Sequence, residues 1–409
     1  MAVITSAPGK VLITGAYLVL EKPNPGIVLS TTARFYAIVK PLRSSIDSRS
    51  WAWLWTDVKL MSPQLSKEEV YKLSLKTLSL QNISSSSGNG NPFAEQAVQF
   101  AVQAAKAAFV DNNHRQEMLQ KLLLQGLDIT ILGSNDFYSY RKQIDARGLP
   151  LTSETLSLLP AFSSINVNTN NADKSHPSSK VTCAPELAKT GLGSSAAMTT
   201  AVVAALLQYL GVVNVPTRSD KNHTDNIMNA NLDLVHVVSQ TAHCVAQGKI
   251  GSGFDVSAAV YGSQRYVRFS PEILSLAQWM DYHKDDLNHH AIVKALLAAR
   301  QAMLEVRNLL RQIGEAAGVP IEPESQTHIL DMTMGMEGVL LAGVPGAGGF
   351  DAIFAITLGS TSRDCVAHKW SSNGVLPLLV TEDPRGVTLE DGDPREIAIA
   401  SRIHSINLE

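Results

Sequence analysis

The segment Lys189-Thr190-Gly191-Leu192-Gly193-Ser194-Ser195-Ala196-Ala197 carries the strongest chemical signal in the chain. Glycines followed by hydroxyl residues at the start of a helical run gather unpaired backbone amides around one point, at the positive end of the helix dipole. Such a point is a natural seat for phosphate. Gly191 and Gly193 let the backbone close on phosphate oxygens with no Cβ in the way. The hydroxyls of Ser194 and Ser195 suit helix capping and bonds to phosphate or Mg2+. On this reading Lys189, Gly191, Leu192, Gly193, Ser194, Ser195 and Ala196 line a phosphate site, and Ser195 also reaches the metal. The lysine precedes the glycines, so this is not the Walker pattern GxxxxGK[ST]. Taken alone, the segment reads equally as a glycine turn with a serine N-cap, and Lys189 as a solvated side chain beside it.

Other segments could join the same chemistry. Ser6-Ala7-Pro8-Gly9-Lys10-Val11 stands at the start and Gly343-Val344-Pro345-Gly346-Ala347-Gly348-Gly349-Phe350-Asp351 near the end. Lys10 is suited to offset charge on a transferring phosphoryl group; alone, it is a surface lysine. Gly346, Gly348 and Gly349 suit a second nest of amides for substrate or nucleotide phosphate, or a tight turn. Gly251-Ser252-Gly253-Phe254-Asp255-Val256 adds a carboxylate, a candidate acid–base group or a turn aspartate. Arg141 has the planar fork that matches phosphate or carboxylate, and equally suits open surface. His243 and Cys244 fall on an expected helix and read as packing residues.

Elements of both kinds must position these residues. Val3 to Ser6, Val11 to Thr14 and Ala33 to Val39 have the β-branched and aromatic content of strands, and Leu127 to Leu132 alternates like one. Helical spacing of apolar residues predicts helices over 92–110, 194–210, 232–249 and 291–317, the last carrying Leu296, Leu297, Met303, Val306, Leu309 and Leu310 as a core stripe. A strand is expected over 351–358. Ser84 to Asn91 and Asn166 to Lys180 read as exposed loops, or as a mobile cover near a ligand. The mixed order of elements indicates α+β rather than a doubly wound sheet.

The 409 residues suffice for two or three domains. Hydrophobic residues make up 45%, charged ones 17%, and mean hydropathy is +0.03, an enzyme-like globular composition. A net charge of −3 favours neither nucleic acid nor an anionic membrane as partner. The three cysteines, Cys183, Cys244 and Cys365, form no CxxC pair, which argues against a zinc site and for reduced thiols. The N-terminal residues lack the pattern of a secretory signal, and no run reaches the roughly 20 apolar residues that span a bilayer.

Together and in this order, the three glycine-bearing segments resemble the signature motifs of the GHMP kinase superfamily. Within it, Ala7 to Leu20, Leu127 to Arg141 with Asn135-Asp136-Phe137-Tyr138-Ser139, Lys189 to Thr200, Ala242 to Pro271 and Leu340 to Gly359 resemble the phosphomevalonate kinases, especially the plant forms. The resemblance implies a two-domain α+β fold with the active site in the cleft between domains 1–270 and 271–409. It implies transfer of the ATP γ-phosphoryl group to 5-phosphomevalonate with Mg2+. Asp255 would accept or orient the acceptor's proton, Lys10 would assist, and Ser139 and Arg141 would contact the substrate. Mevalonate kinase and diphosphomevalonate decarboxylase are the neighbouring alternatives; a non-catalytic nucleotide-binding relative is another. A cytoplasmic or peroxisomal protein is expected, although Asn407-Leu408-Glu409 differs from the SKL-type address.

Two departures from the family pattern stand out. Some relatives carry a helical Glu about three turns before the catalytic Asp that helps hold Mg2+; here that window reads His243-Cys244-Val245-Ala246-Gln247. Mg2+ would then rest on the ATP phosphates, Ser195 and water. Also, Ser270-Pro271-Glu272-Ile273-Leu274-Ser275-Leu276-Ala277-Gln278 runs almost directly into Trp279-Met280-Asp281-Tyr282 and the long late helix, where plant relatives have a long Gly/Ser/Thr-rich stretch. A shortened C-terminal domain is therefore expected.

Overall fold

The structure, a computed structural model, describes residues 2–43, 55–83, 90–165, 189–218, 226–268 and 289–406. Most of the expected loop at Ser84 to Asn91 lies outside these residues, as do all of Asn166 to Lys180 and the junction from Ser270 to Tyr282.

Two long strands, β1 (Val3–Thr14) and β2 (Pro25–Pro41), pair antiparallel at the centre of the first lobe. The register slips between Pro8 and Lys10, where Gly9 sits with its Cα against Phe137 and Leu192. Beyond β2 the sheet continues through β6 (Leu127–Gly133) to a hairpin of β3 (Trp55–Ser62) and β4 (Lys67–Ser74), and ends at β5 (Leu80–Asn82). β7 (Gln264–Val267) pairs with the start of β2, and β10 (Thr388–Leu389) covers the outer edge of β1, completing eight strands.

Helices cover one face. α1 (Pro92–Ala108) starts at Asn91, whose side chain caps the Ala94 amide. α2 (Asn113–Leu124) leads into β6, and the short α3 (Arg141–Ala146) and α4 (Ser153–Ser157) follow it. The central helix is α5 (Ser194–Tyr209), packed on β1 and β2 and flanked by α1, α6 (Asn226–Gln247) and α7 (Phe254–Tyr261). Every residue of α5 from Ala196 to Leu207 is buried, which its Ala and Val content permits because small side chains let neighbours close in from all sides. Leu206 and Leu207 are fully buried, each contributing roughly 1.5–3 kcal/mol by leaving water. The Thr5 hydroxyl donates to the Ala201 carbonyl at 2.8 Å, locking β1 to this helix.

The second lobe consists of α8 (His289–Ala317), α9 (Glu324–Met334), the hairpin of β8 (Val339–Gly343) and β9 (Phe354–Thr357), and α10 (Ser360–Ser372). Its core gathers Leu310, Ile321, Leu330, Met334, Val339 and Trp370. The strand expected over 351–358 is shorter because pairing begins only at Gly343 opposite Phe354. The core stripe expected on α8 holds in part. Met303 and Leu310 are buried, whereas Leu297 is 62% and Leu309 54% exposed. Arg307 and Glu322, both buried, join at 2.7 Å, with Asp331 and Arg311 completing the network.

The chain then returns to its beginning. Leu376, Val380, Val387 and Leu389 pack into the first lobe's core, so the far end of the expected 271–409 domain belongs spatially to the first sheet. Buried Arg34 fastens the return, donating to Asp383 Oδ2 at 3.1 Å, the Gly386 carbonyl at 2.6 Å and Thr388 Oγ1 at 3.0 Å. The final helix, α11 (Pro394–Ile406), follows.

Candidate active site

The loop before α5 is held by residues far away in sequence. The Thr190 amide donates to the Phe137 carbonyl at 3.3 Å, its hydroxyl to the Asp136 carbonyl at 2.5 Å, and Lys189 bridges Tyr138. The Lys10 amide donates to the Leu192 carbonyl at 2.8 Å. The Leu192 side chain is buried in the core, so this residue anchors the loop. Gly9 explains the first glycine-bearing segment: an added Cβ would lie 2.9 Å from both the Leu192 oxygen and the Phe137 ring. The loop and β1 can approach this closely only because that Cβ is missing.

Gly191 and Gly193 both adopt left-handed backbone, at φ +79° and +75°. Gly193 is the N-cap of α5 and supplies no side chain to it, so the first helical amides, at Ser194, Ser195 and Ala196, have no partner within the helix. Gly191 faces open space within 4 Å of where its Cβ would be. This is the geometry of an anion cradle.

Lys10 and Asp255 lie beside it, near enough for the carboxylate to act on the ammonium through its charge. The Lys10 ammonium donates to the Gly191 carbonyl at 3.1 Å and lies 5.3 Å from the centre of the Phe254 ring. Loss of water pushes its pKa below the ordinary lysine value, and the Asp255 carboxylate partly offsets this. Asp255 stands in the first turn of α7, second after the N-cap Gly253, which is left-handed at φ +83°, and its Oδ1 accepts from the Val256 amide at 2.9 Å. The Gly251 and Ser252 carbonyls are tied by Arg268 at 3.2 Å and Tyr266 at 2.6 Å, which fixes the approach to Asp255. The Asp255 side chain is 24% exposed, accessible to a reactant.

His243, expected only to pack, takes part in the site. Its Nε2 lies 3.1 Å from Ser195 Oγ and 4.0 Å from Asp255 Oδ2. The ring is buried and tilted against Phe93 at 5.1 Å. Burial pushes its pKa down, with Asp255 opposing. The only local signal is Gln247, one turn on, whose amide nitrogen is 3.3 Å from His243 Nδ1. Ser195 is 48 residues away. Cys244 is buried with its sulfur 3.1 Å from Gln240 Nε2, as expected of a packing residue.

The remaining expected residues are held by other contacts. In the third glycine-bearing segment the amides are engaged: Gly346 donates to Leu12 at 3.4 Å, Gly348 to Pro345 at 3.2 Å and Gly349 to Ile321 at 2.8 Å. The nest expected there is thus spent on backbone carbonyls. A Cβ at Gly348 would meet the Ile321 oxygen at 2.1 Å, which accounts for the glycine by packing. The segment joins the lobes, since Leu12 lies on β1 and Tyr17 donates to the Ala347 carbonyl at 3.2 Å. Arg141 is exposed, faces Asp145 at 3.9 Å and donates to Gly374 of the second lobe at 3.2 Å. Ser139 is half-buried at the end of the turn that holds Thr190.

Similarity to known proteins follows the same lines. Residues 178–263 match the family pattern described as the GHMP kinases N terminal domain. Over its whole length the chain is 50% identical to the peroxisomal phosphomevalonate kinase of Arabidopsis thaliana, which it covers completely. The chain belongs to the phosphomevalonate kinase family. The phosphomevalonate kinase of Gibberella zeae is 28% identical across 86% of each protein. Two solved structures share the fold. A Listeria innocua protein has a TM-score of 0.54 at 16% identity, over 96% of this chain and all of that one. Streptococcus pneumoniae phosphomevalonate kinase, solved with phosphomevalonate and AMPPNP, has a TM-score of 0.50 at 14% identity, over 94% and 100%. Among the described residues of this family member, no helix is long and apolar enough to cross a membrane.

Proposed function

We propose that this chain transfers the γ-phosphoryl group of ATP to 5-phosphomevalonate, giving 5-diphosphomevalonate and ADP. The observation that carries the reading is the convergence of Lys10, Asp255 and the first amides of α5 on one mouth, in a chain half identical to the Arabidopsis phosphomevalonate kinase. The amides of Ser194, Ser195 and Ala196 would hold nucleotide phosphate. Lys10, tethered to Gly191, would offset charge on the moving group, and Asp255 would orient the attacking oxygen of the acceptor. Positioning and charge compensation supply most of the catalysis in such reactions.

Mg2+ fits this site only as a partner of the nucleotide. Among the described residues no three His, Cys, Asp or Glu side chains are grouped to hold a metal. Asp255 and the Ser195 hydroxyl are the oxygens on hand. When bound, Mg2+ would neutralise phosphate charge, keeping several waters as it commonly does.

A second reading has support of its own. The alignment with the Arabidopsis protein runs over 519 positions against 409 residues here, so 110 positions have no counterpart in this chain. The exposed Leu297 and Leu309 on α8 fit loss of second-lobe structure that would cover them. On that reading the C-terminal domain is shortened and the chain binds nucleotide without turnover. A coupled ADP-release assay with Mg-ATP and 5-phosphomevalonate, mevalonate or no acceptor separates the two. Turnover with phosphomevalonate alone, lost in Asp255→Asn, is the expected result. A folded chain that binds ATP and releases no ADP would leave the second reading standing.

A further inference from the structure

His243 has no role in the reading above, yet it touches the phosphate loop and faces the carboxylate. We propose that His243 is a positioning residue, whose Nε2–H holds the Ser195 hydroxyl in one rotamer and one hydrogen-bond polarity at the mouth of α5. This deepens the kinase reading and rests on it.

The polarity follows from Gln247. Its amide nitrogen, only a donor, sits 3.3 Å from His243 Nδ1, so Nδ1 accepts and the ring's proton lies on Nε2. That N–H points at Ser195 Oγ, 3.1 Å away, with Asp255 Oδ2 at 4.0 Å as the flanking acceptor. Ser195 therefore receives a hydrogen bond from inside the protein. Its own O–H and its remaining lone pair are left for the outer side, where the amides of α5 are unpaired. A serine in the first turn of a helix otherwise has several rotamers and competing bonds to nearby backbone. The imidazole cannot swing away, because it is 3% exposed and lies against the Phe93 ring at 5.1 Å. Three elements thus meet at one nitrogen, His243 Nε2: α6 brings the histidine, α5 the serine and α7 the carboxylate.

The test is a double-mutant cycle on AMPPNP affinity, read by calorimetry and needing no turnover. His243→Leu and Ser195→Ala are each expected to weaken binding about 3- to 10-fold, the worth of one neutral hydrogen bond. Combined, they should cost little more than either alone. Where turnover is measurable, kcat and the KM for ATP should change in His243→Leu while the KM for the acceptor stays put. His243→Gln carries an N–H to about the Nε2 position and should restore most of the loss. His243→Asn reaches only the Nδ1 position and should not, a comparison that decides the matter should the leucine variant fail to fold. Additive losses, or equal behaviour of the Gln and Asn variants, overturn the proposal while the kinase reading stands. Absence of AMPPNP binding in the unsubstituted protein overturns both.

Discussion

Placing a methyl group on Gly193 tests the central geometry. The residue is left-handed at φ +75°, and an added Cβ would lie 2.9 Å from Lys10 Cε and 3.2 Å from Cγ. The backbone strain of an L-residue there costs about 1–2 kcal/mol. Unfolding entropy of roughly 2.1 cal/mol/K per residue over 409 residues converts this to a fall in Tm of about 1–2 °C. The contact with Lys10 matters more. Carbon atoms prefer about 3.5–4.0 Å, so the lysine chain must retreat by roughly 0.6–1.1 Å. A displacement near 1 Å at a reacting centre can cost about a hundred-fold in rate. Gly193→Ala is thus expected to lower kcat/KM about 10- to 100-fold with little loss of stability. Gly211→Ala is the matched control: it lies just past the other end of α5, at φ +74° with nothing within 4 Å of its Cβ. It carries the same strain and touches nothing. Coupled-assay rates and melting curves on both variants decide the point. If Gly193→Ala stays within about two-fold of the control in rate, the position of Lys10 does not govern turnover.

Two further outcomes concern the return of the chain to its first sheet. Burial alone raises the Asp383 carboxyl pKa, but hydrogen bonds and charge from Arg385, with the charge of Arg34, outweigh it and hold the group below the usual carboxylate range. Its stabilisation is therefore complete above the unfolded value, near about pH 4, and lost as pH falls through the folded one. Asp383→Asn should flatten the acid limb of a Tm-against-pH curve below about pH 4 and, by stranding buried Arg34, cost about 3–5 kcal/mol at neutral pH; an unchanged acid limb would refute this. Gly262→Ala combines φ +88° with a Cβ 1.8 Å from the Pro384 carbonyl, which is backbone and cannot turn aside. It should cost about 3–5 kcal/mol in guanidinium unfolding, whereas Gly392→Ala, with open space around it, should be close to neutral.

What the sequence revealed is what is local. A glycine pair before an Ala-rich helix announces its own N-terminus, so the start of α5 behind Gly193 could be read directly. The central helices followed from their spacing. Long-range pairings did not. Nothing near His243 points to a serine 48 residues earlier, and a buried helical histidine more often packs than positions. Gly346, Gly348 and Gly349 looked like free amides because their partners, Leu12, Pro345 and Ile321, include carbonyls from other elements. The β3–β4 hairpin was also missed; its charged outward positions, Lys59, Lys67, Glu68 and Lys72, dilute the apolar alternation.

The cover that β10 gives β1 has a consequence for how the protein is made. Ser6 and Thr388 bond across a separation of 382 residues, so β1 waits for a partner that is made 382 residues later. At about 5–20 residues per second that interval is roughly 20–80 s. Throughout it one side of β1 is an open strand edge, a template for pairing with another chain, and Arg34 lacks the carboxylate of Asp383. The nascent protein therefore depends on protection until β10 emerges. A stop codon before Leu376 would spare every residue of the Lys10–Asp255 cluster and still yield aggregate, detectable as loss of the chain from the soluble fraction.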